Sequence, residues 1–226
     1  MSAASSAVTV ALLGGALGLD TTAALQVMVS EPIVAGTLAG FALGDPSVGL
    51  AMGAALQLVW SGALPVGAAP FPDSAPAAVG GVGGAVLLGR AGVAAPAAAA
   101  AGLLAALVAG MVGQRVTAWL RRRNDRLASL AEASAARGDS RGVTAAVLLG
   151  LAGRFATAGA VALGTVLALA ALARPLSILP SGREFSPVFW AAPIAACVGV
   201  VVARSRLERW CLAAGAAAGV AASVLL

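Results

Sequence analysis

The chain has 226 residues, 60% hydrophobic and 10% charged, with a mean hydropathy of +0.97 and a formal net charge of +5. That is more apolar surface than a soluble fold of this size buries, and several runs approach the about 20 residues that cross a bilayer, so the sequence predicts a polytopic all-α integral membrane protein held in lipid. Histidine, lysine and tyrosine are absent, which excludes a Walker A loop, Schiff-base chemistry, His-activated nucleophiles, phosphohistidine and imidazole metal sites, so no catalytic residue, metal or cofactor is expected.

The excess charge does not point to nucleic acid. Its arginines flank apolar segments instead of interleaving with aromatics, as the positive-inside rule predicts for a membrane protein.

In chain order, the first apolar segment is expected over residues 5–29. No charged region precedes it, so Ala7 to Leu19 reads as the start of a retained segment rather than a cleaved leader. Two short segments follow, 32–44 and 47–63, separated by Gly44, Asp45 and Pro46. A proline-rich run, Pro65 to Pro76, comes before a third short segment, 76–89. At 1.5 Å per residue, 32–44 and 76–89 fall short of the about 30 Å of hydrocarbon, so both are expected to be half-helices or re-entrant. Backbone breaks at membrane depth are tolerated only inside protein or beside a polar cavity, which is a transporter's architecture.

Further spans are expected at 92–114, 142–173, 185–203 and 210–226. Between them, Arg115, Arg121, Arg122, Arg123, Arg126, Arg137 and Arg141 crowd one stretch, and Arg204, Arg206 and Arg209 form a second cluster. Both clusters are expected in the cytoplasm, with the tip at 174–184 and the C-terminus outside. Residues 119–138 read as a helix lying on the membrane surface or on a cytosolic partner, or as a solvated connecting helix. Cys197 and Cys211 read as packing thiols. The whole forms a single membrane domain: core helices over 1–114, a cytoplasmic arginine-rich stretch over 115–141, and C-terminal helices over 142–226.

Glycines repeat at four-residue spacing at 14 and 18, at 36, 40 and 44, at 49 and 53, at 80 and 84, and at 215 and 219. Such faces let membrane helices approach closely. Only the run through Gly36, Gly40 and Gly44 exceeds what the 29 glycines give by chance.

The polar residues of the first third are few: Asp20, Thr21, Thr22, Gln26, Glu31, Thr37, Asp45, Gln57, Ser61, Asp73 and Ser74. Acids in apolar context face the bundle interior, a water-filled cavity or the interface. Asp45 fits either a solute-facing acid or a turn at the membrane surface. Asp73 fits either a carboxylate that binds a polyol beside a backbone break or a loop acid.

The stretch from Glu31 to Asp45 (EPIVAGTLAGFALGD), followed by Gly49, Gly53, Leu56, Gln57 and the run Pro65 to Asp73 (PVGAAPFPD), resembles the IIC subunit of the mannose/fructose/sorbose family of the phosphoenolpyruvate-dependent sugar phosphotransferase system. The likeness covers about residues 14–80, and loosely continues through Ala95, Pro96, Asn124 to Arg126, Gly138, Arg154 and Phe155. It implies a translocation subunit of a bacterial cytoplasmic (inner) membrane, not catalytic alone. Such a subunit pairs with a IID membrane subunit as an oligomer of IIC-IID units, and passes a hexose to a cytoplasmic IIB subunit for phosphorylation, with IIA a further cytoplasmic partner. The family usually has Arg where this chain has Glu31, and Glu where it has Gln57. Gln57 and Asp73, then Asp45 and Glu31, are the substrate-binding candidates, with Gln57 and Asp73 expected to face one polar cavity. The competing readings are a IIC scaffold that docks or regulates phosphotransferase subunits without transporting, and an unrelated solute transporter or membrane enzyme.

Overall fold

Gly44 ends one helix and Asp45 starts the next. In the computed structural model, which describes residues 1–61 and 71–177, helix α2 (Pro32–Leu43) closes on Gly44 in the left-handed conformation (φ 80°), and Asp45 caps the N-terminus of α3 (Pro46–Trp60) by accepting from Val48 N. Pro32 and Pro46 each open their helix, where a missing N–H costs nothing. The two helices fold back on one another as a hairpin. Its faces are glycine: a methyl group on Gly40 would lie 2.7 Å from Gly49 Cα, and one on Gly36 would lie 2.9 Å from Gly53 Cα. The third glycine of the expected run, Gly44, is the turn rather than part of this face.

The remaining elements are α1 (Ala3–Asp20), α4 (Ser74–Arg90), α5 (Ala95–Ala136), α6 (Ser140–Ala171) and the short α7 (Ala173–Ser177). Helix α4 is central. Every residue from Ser74 to Val86 is buried, and α1, α2, α3, α5 and α6 all pack on it. A helix enclosed on all sides is apolar all round, and close approach demands small residues. A methyl group on Gly81 would lie 2.6 Å from Gly102 O, and one on Gly80 would lie 2.8 Å from Ala162 O. At 17 residues, or about 26 Å, α4 is as short as the sequence implies. Gly14 and Gly18 of α1 likewise face Ala162 and Ala158 of α6.

Among the described residues three helices, α1, α5 and α6, are long and apolar enough to span a membrane, and α2 and α3 are shorter apolar helices. The described residues hold helices and no strand. This is an all-α polytopic membrane bundle, as composition implies.

Two expected boundaries differ. The span anticipated over 5–29 ends at Asp20, because the Asp20 carboxylate turns back to accept from Val27 N (2.7 Å) and Ser30 N (3.0 Å), pinning residues 21–30 as a loop. Leu25, Gln26 and Met28 of that loop all have positive φ, the region L side chains avoid. The stretch 119–138 is helical but is not a separate surface helix. It continues α5 without a break, so that α5 is 42 residues, or about 63 Å, long. Contacts in register pair it antiparallel with the first half of α6. Leu120 packs at Gly153, and Ser134 packs at Gly142. The chain turns between them at Gly138 (φ 70°), and Asp139 caps α6. The expected helices 185–203 and 210–226, Cys197, Cys211, the second arginine cluster, Gly215, Gly219 and the break at Pro65 to Pro70 lie outside the described residues.

Candidate functional site

The helix directions divide the bundle into two ends. At one, Asp73 begins α4 beside Gly110 and Gly113 of α5, Gly18 of α1 and Arg154 of α6. At the other, Arg90 ends α4 beside Ser6 of α1 and Leu43 of α2. Because α2 and α3 form a hairpin turning at Gly44, Glu31 and Gln57 fall at the Asp73 end, where Trp60, one turn beyond Gln57, packs on Gly110. The arginine-rich continuation of α5 and α6 projects from this same end.

Asp73 is buried and fully claimed. Arg154 grips it bidentately, Nη2 to Oδ1 at 2.7 Å and Nη1 to Oδ2 at 2.7 Å, and Thr117 Oγ1 also donates to Oδ2 at 3.3 Å. Arg154 Nε donates to Gly18 O at 3.0 Å. Both side chains are about one-twentieth exposed, 4% for Asp73 and 6% for Arg154, so geometry that satisfies nearly every donor is what makes burying the charges tolerable. Four helices, α1, α4, α5 and α6, are tied at one point.

Gln57 is partnered differently. Its amide Nε2 donates to Glu31 Oε2 at 2.7 Å and its Oε1 accepts from Ile33 N at 3.3 Å, joining the open ends of the α2–α3 hairpin. Both side chains are half-buried, and Glu31 Oε1 and one amide hydrogen of Gln57 have no partner among the described residues. Nearby in the chain, Thr21 Oγ1 is a buried hydroxyl with no partner among the described residues.

The four sequence candidates therefore separate. Glu31 and Gln57 touch; Asp73 lies at the same end in a different network, with no bond to Gln57; Asp45 lies at the opposite end, its Oδ1 accepting from Ser47 Oγ and Val48 N. Asp45 thus caps the turn between α2 and α3. Arg154 and Arg90 were not singled out as site residues. The signal for Arg154 was present: it stands alone in the apolar run 142–173, where a charge needs a partner.

The family model described as the PTS system sorbose-specific IIC component matches residues 4–183. The chain belongs to this family. A solved structure titled "Structure of membrane protein" has the same fold, with a TM-score of 0.67 at 20% identity, covering 92% of this chain and 82% of that one. No curated protein matches the sequence. Membership makes the protein a multi-pass IIC membrane component of PTS sugar transport, acting with other components of that system. The two departures from the usual IIC pattern, Glu31 and Gln57, are the two residues in contact. They are joined by a hydrogen bond from the Gln57 amide to the Glu31 carboxylate.

Proposed function

We propose that the protein is the translocation subunit for a hexose in a bacterial inner membrane, paired with a IID subunit in an oligomer of IIC-IID units and delivering sugar to a IIB subunit charged by IIA. The absence of histidine fits a chain that leaves phosphorylation to its partner. The arginine-rich hairpin of α5 and α6 carries seven of the 14 basic residues, so this end faces the cytoplasm, where IIB works.

Within that frame, Glu31 and Gln57 are the sugar contacts at the cytoplasmic end, with Asp73 supporting them from the base of α4. The observation that carries this is the unclaimed valence of the Glu31–Gln57 bridge: a carboxylate oxygen and an amide hydrogen, half-buried side by side, match the donor and acceptor of vicinal hydroxyls. The unpartnered Thr21 hydroxyl adds a third group at this end.

The test is uptake of labelled mannose, fructose, sorbose and glucose by cells carrying the chain with IIA, IIB and IID. Gln57→Ala removes one bridge partner at about 1 to 3 kcal/mol, and should raise half-saturation roughly ten- to hundredfold without preventing insertion. Unchanged half-saturation in Gln57→Ala and Glu31→Gln alike would move the site elsewhere. Uptake of none of the sugars by the unmutated complex would favour the non-transporting scaffold.

A further inference from the structure

At the end of the bundle remote from Glu31 and Gln57, the turn between α2 and α3 meets the C-terminus of α4 and the start of α5 around a cleft of about 250 Å³. Asp45 and Arg90 line it together with Gly44, Val48, Val86 and Ala99. The two charged side chains do not neutralise one another, since the described residues hold one salt bridge, the distant Asp73–Arg154 pair. Arg90 instead donates to neutral oxygens, Ser6 Oγ at 3.2 Å and Leu43 O, and three of its five N–H groups have no partner among the described residues. Asp45 uses Oδ1 for Ser47 and Val48 and leaves Oδ2 without a bond among the described residues.

The chemistry of this lining selects its occupant. An anion would meet the Asp45 carboxylate and a cation the Arg90 guanidinium, whereas a neutral molecule dense in hydroxyls donates to the first and accepts from the second. Val48, Val86 and Ala99 supply an apolar wall for the C–H face of such a molecule. The volume lies just under the about 300–1,000 Å³ of sites for drug-sized ligands, which suits something of monosaccharide size.

We infer that the Asp45–Arg90 cleft is a second carbohydrate subsite, an entry site for a monosaccharide at the end opposite the Glu31–Gln57 bridge. This rests on the reading of the chain as a sugar-translocating subunit. A solute crossing the bundle would then meet one donor-and-acceptor pair on entry and another at the cytoplasmic end.

The test is protection from labelling. In the full complex reconstituted in vesicles, with Cys197 and Cys211 replaced by serine, the single change Val48→Cys places a thiol in the cleft wall, and its rate of modification by a small methanethiosulfonate is measured with and without mannose, fructose, sorbose and glucose. At least one sugar should slow modification, and Asp45→Asn should raise its half-protective concentration about tenfold, as loss of one charge-assisted hydrogen bond predicts. Arg90→Gln should do the same, although Arg90 also ties α1 to α2, so protection in the otherwise unmutated chain decides. Gln57→Ala should impair uptake and leave protection unchanged. If the complex takes up a sugar that gives no protection, the cleft is not a subsite and the transport reading survives. Protection without uptake keeps the cleft and removes the transport reading, and the absence of both removes both.

Discussion

Two polar pairs at one end of the bundle, Asp73–Arg154 and Glu31–Gln57, bridge helices by opposite means. The first is buried, bidentate and nearly saturated, with Thr117 and Gly18 O taking up donors and acceptors that the pair leaves over. The second is half-buried, joined by single bonds, and retains an oxygen and an N–H with no partner among the described residues. A saturated pair has nothing to offer a solute and everything to lose if one member goes. An unsaturated pair can exchange partners at little cost. On the proposed reading, stability and solute chemistry lie on neighbouring but separate networks, with Asp73 on the structural side of the division.

The largest effect should follow from breaking the saturated pair. Removing one member of a buried ion pair strands the other charge, at about 3 to 5 kcal/mol. Asp73→Ala and Arg154→Ala should each cost that much in detergent-solubilised unfolding, while the double variant costs less than their sum. A strictly additive cycle would show that the two charges do not support each other. Asp73→Ala should then reduce uptake chiefly through the amount of folded protein, whereas Gln57→Ala raises half-saturation at normal abundance.

A smaller effect tests the second pair. Gln57→Glu restores the residue usual in the family but sets a second carboxylate in contact with Glu31, where Gln57 Nε2 now lies 2.7 Å from Oε2. Two carboxylates in contact repel one another, and the repulsion is relieved when acid neutralises one of them. Gln57→Glu should therefore lose about tenfold in uptake at neutral pH, one pK unit being about 1.4 kcal/mol, and regain it on acidification. Combined with Glu31→Arg, the same change sets an acid against a base and should transport at neutral pH. Equal activity of the single and double variants would mean that the contact between positions 31 and 57 has no bearing on transport.

The same comparison explains what the sequence disclosed. Helix breaks at Gly44–Pro46 and the shortness of α2 and α4 were legible because glycine and proline act locally, through φ and through a missing N–H. Glu31 and Gln57 were legible individually, as polar residues in apolar runs, yet their contact depends on how the α2–α3 hairpin closes. Asp73 was read as solute-facing because its partner is 81 residues away and on another helix. The loop at 21–30 was hidden for a similar reason: an apolar run continues past Asp20, and only the carboxylate's turn back to Val27 and Ser30 ends the helix. The unbroken course of α5 through its arginines was hidden because hydropathy marks where a helix leaves the bilayer and not where it stops.

The smallest effect is expected outside the bundle, and its smallness is informative. Asp125 is exposed on the projecting part of α5, beyond Thr117, where Arg123 stacks over the Trp119 ring at 5.0 Å and the paired α6 presents Val147, Leu148 and Leu149 outward. Its carboxylate makes no ion pair among the described residues, so Asp125→Ala strands no partner. Exposed charges in any case contribute about 0 to 1 kcal/mol. A half-saturation constant reports contacts to the sugar, whereas the maximal rate also reports the proposed handover to cytoplasmic subunits. Asp125→Ala should leave half-saturation within about twofold of the unmutated chain, since a twofold change is only about 0.4 kcal/mol. A fall in maximal rate alone would locate subunit docking on the hairpin and preserve the division between networks. A tenfold rise in half-saturation would place sugar contacts on the hairpin itself, and the separation of solute chemistry from the arginine-rich projection would fail.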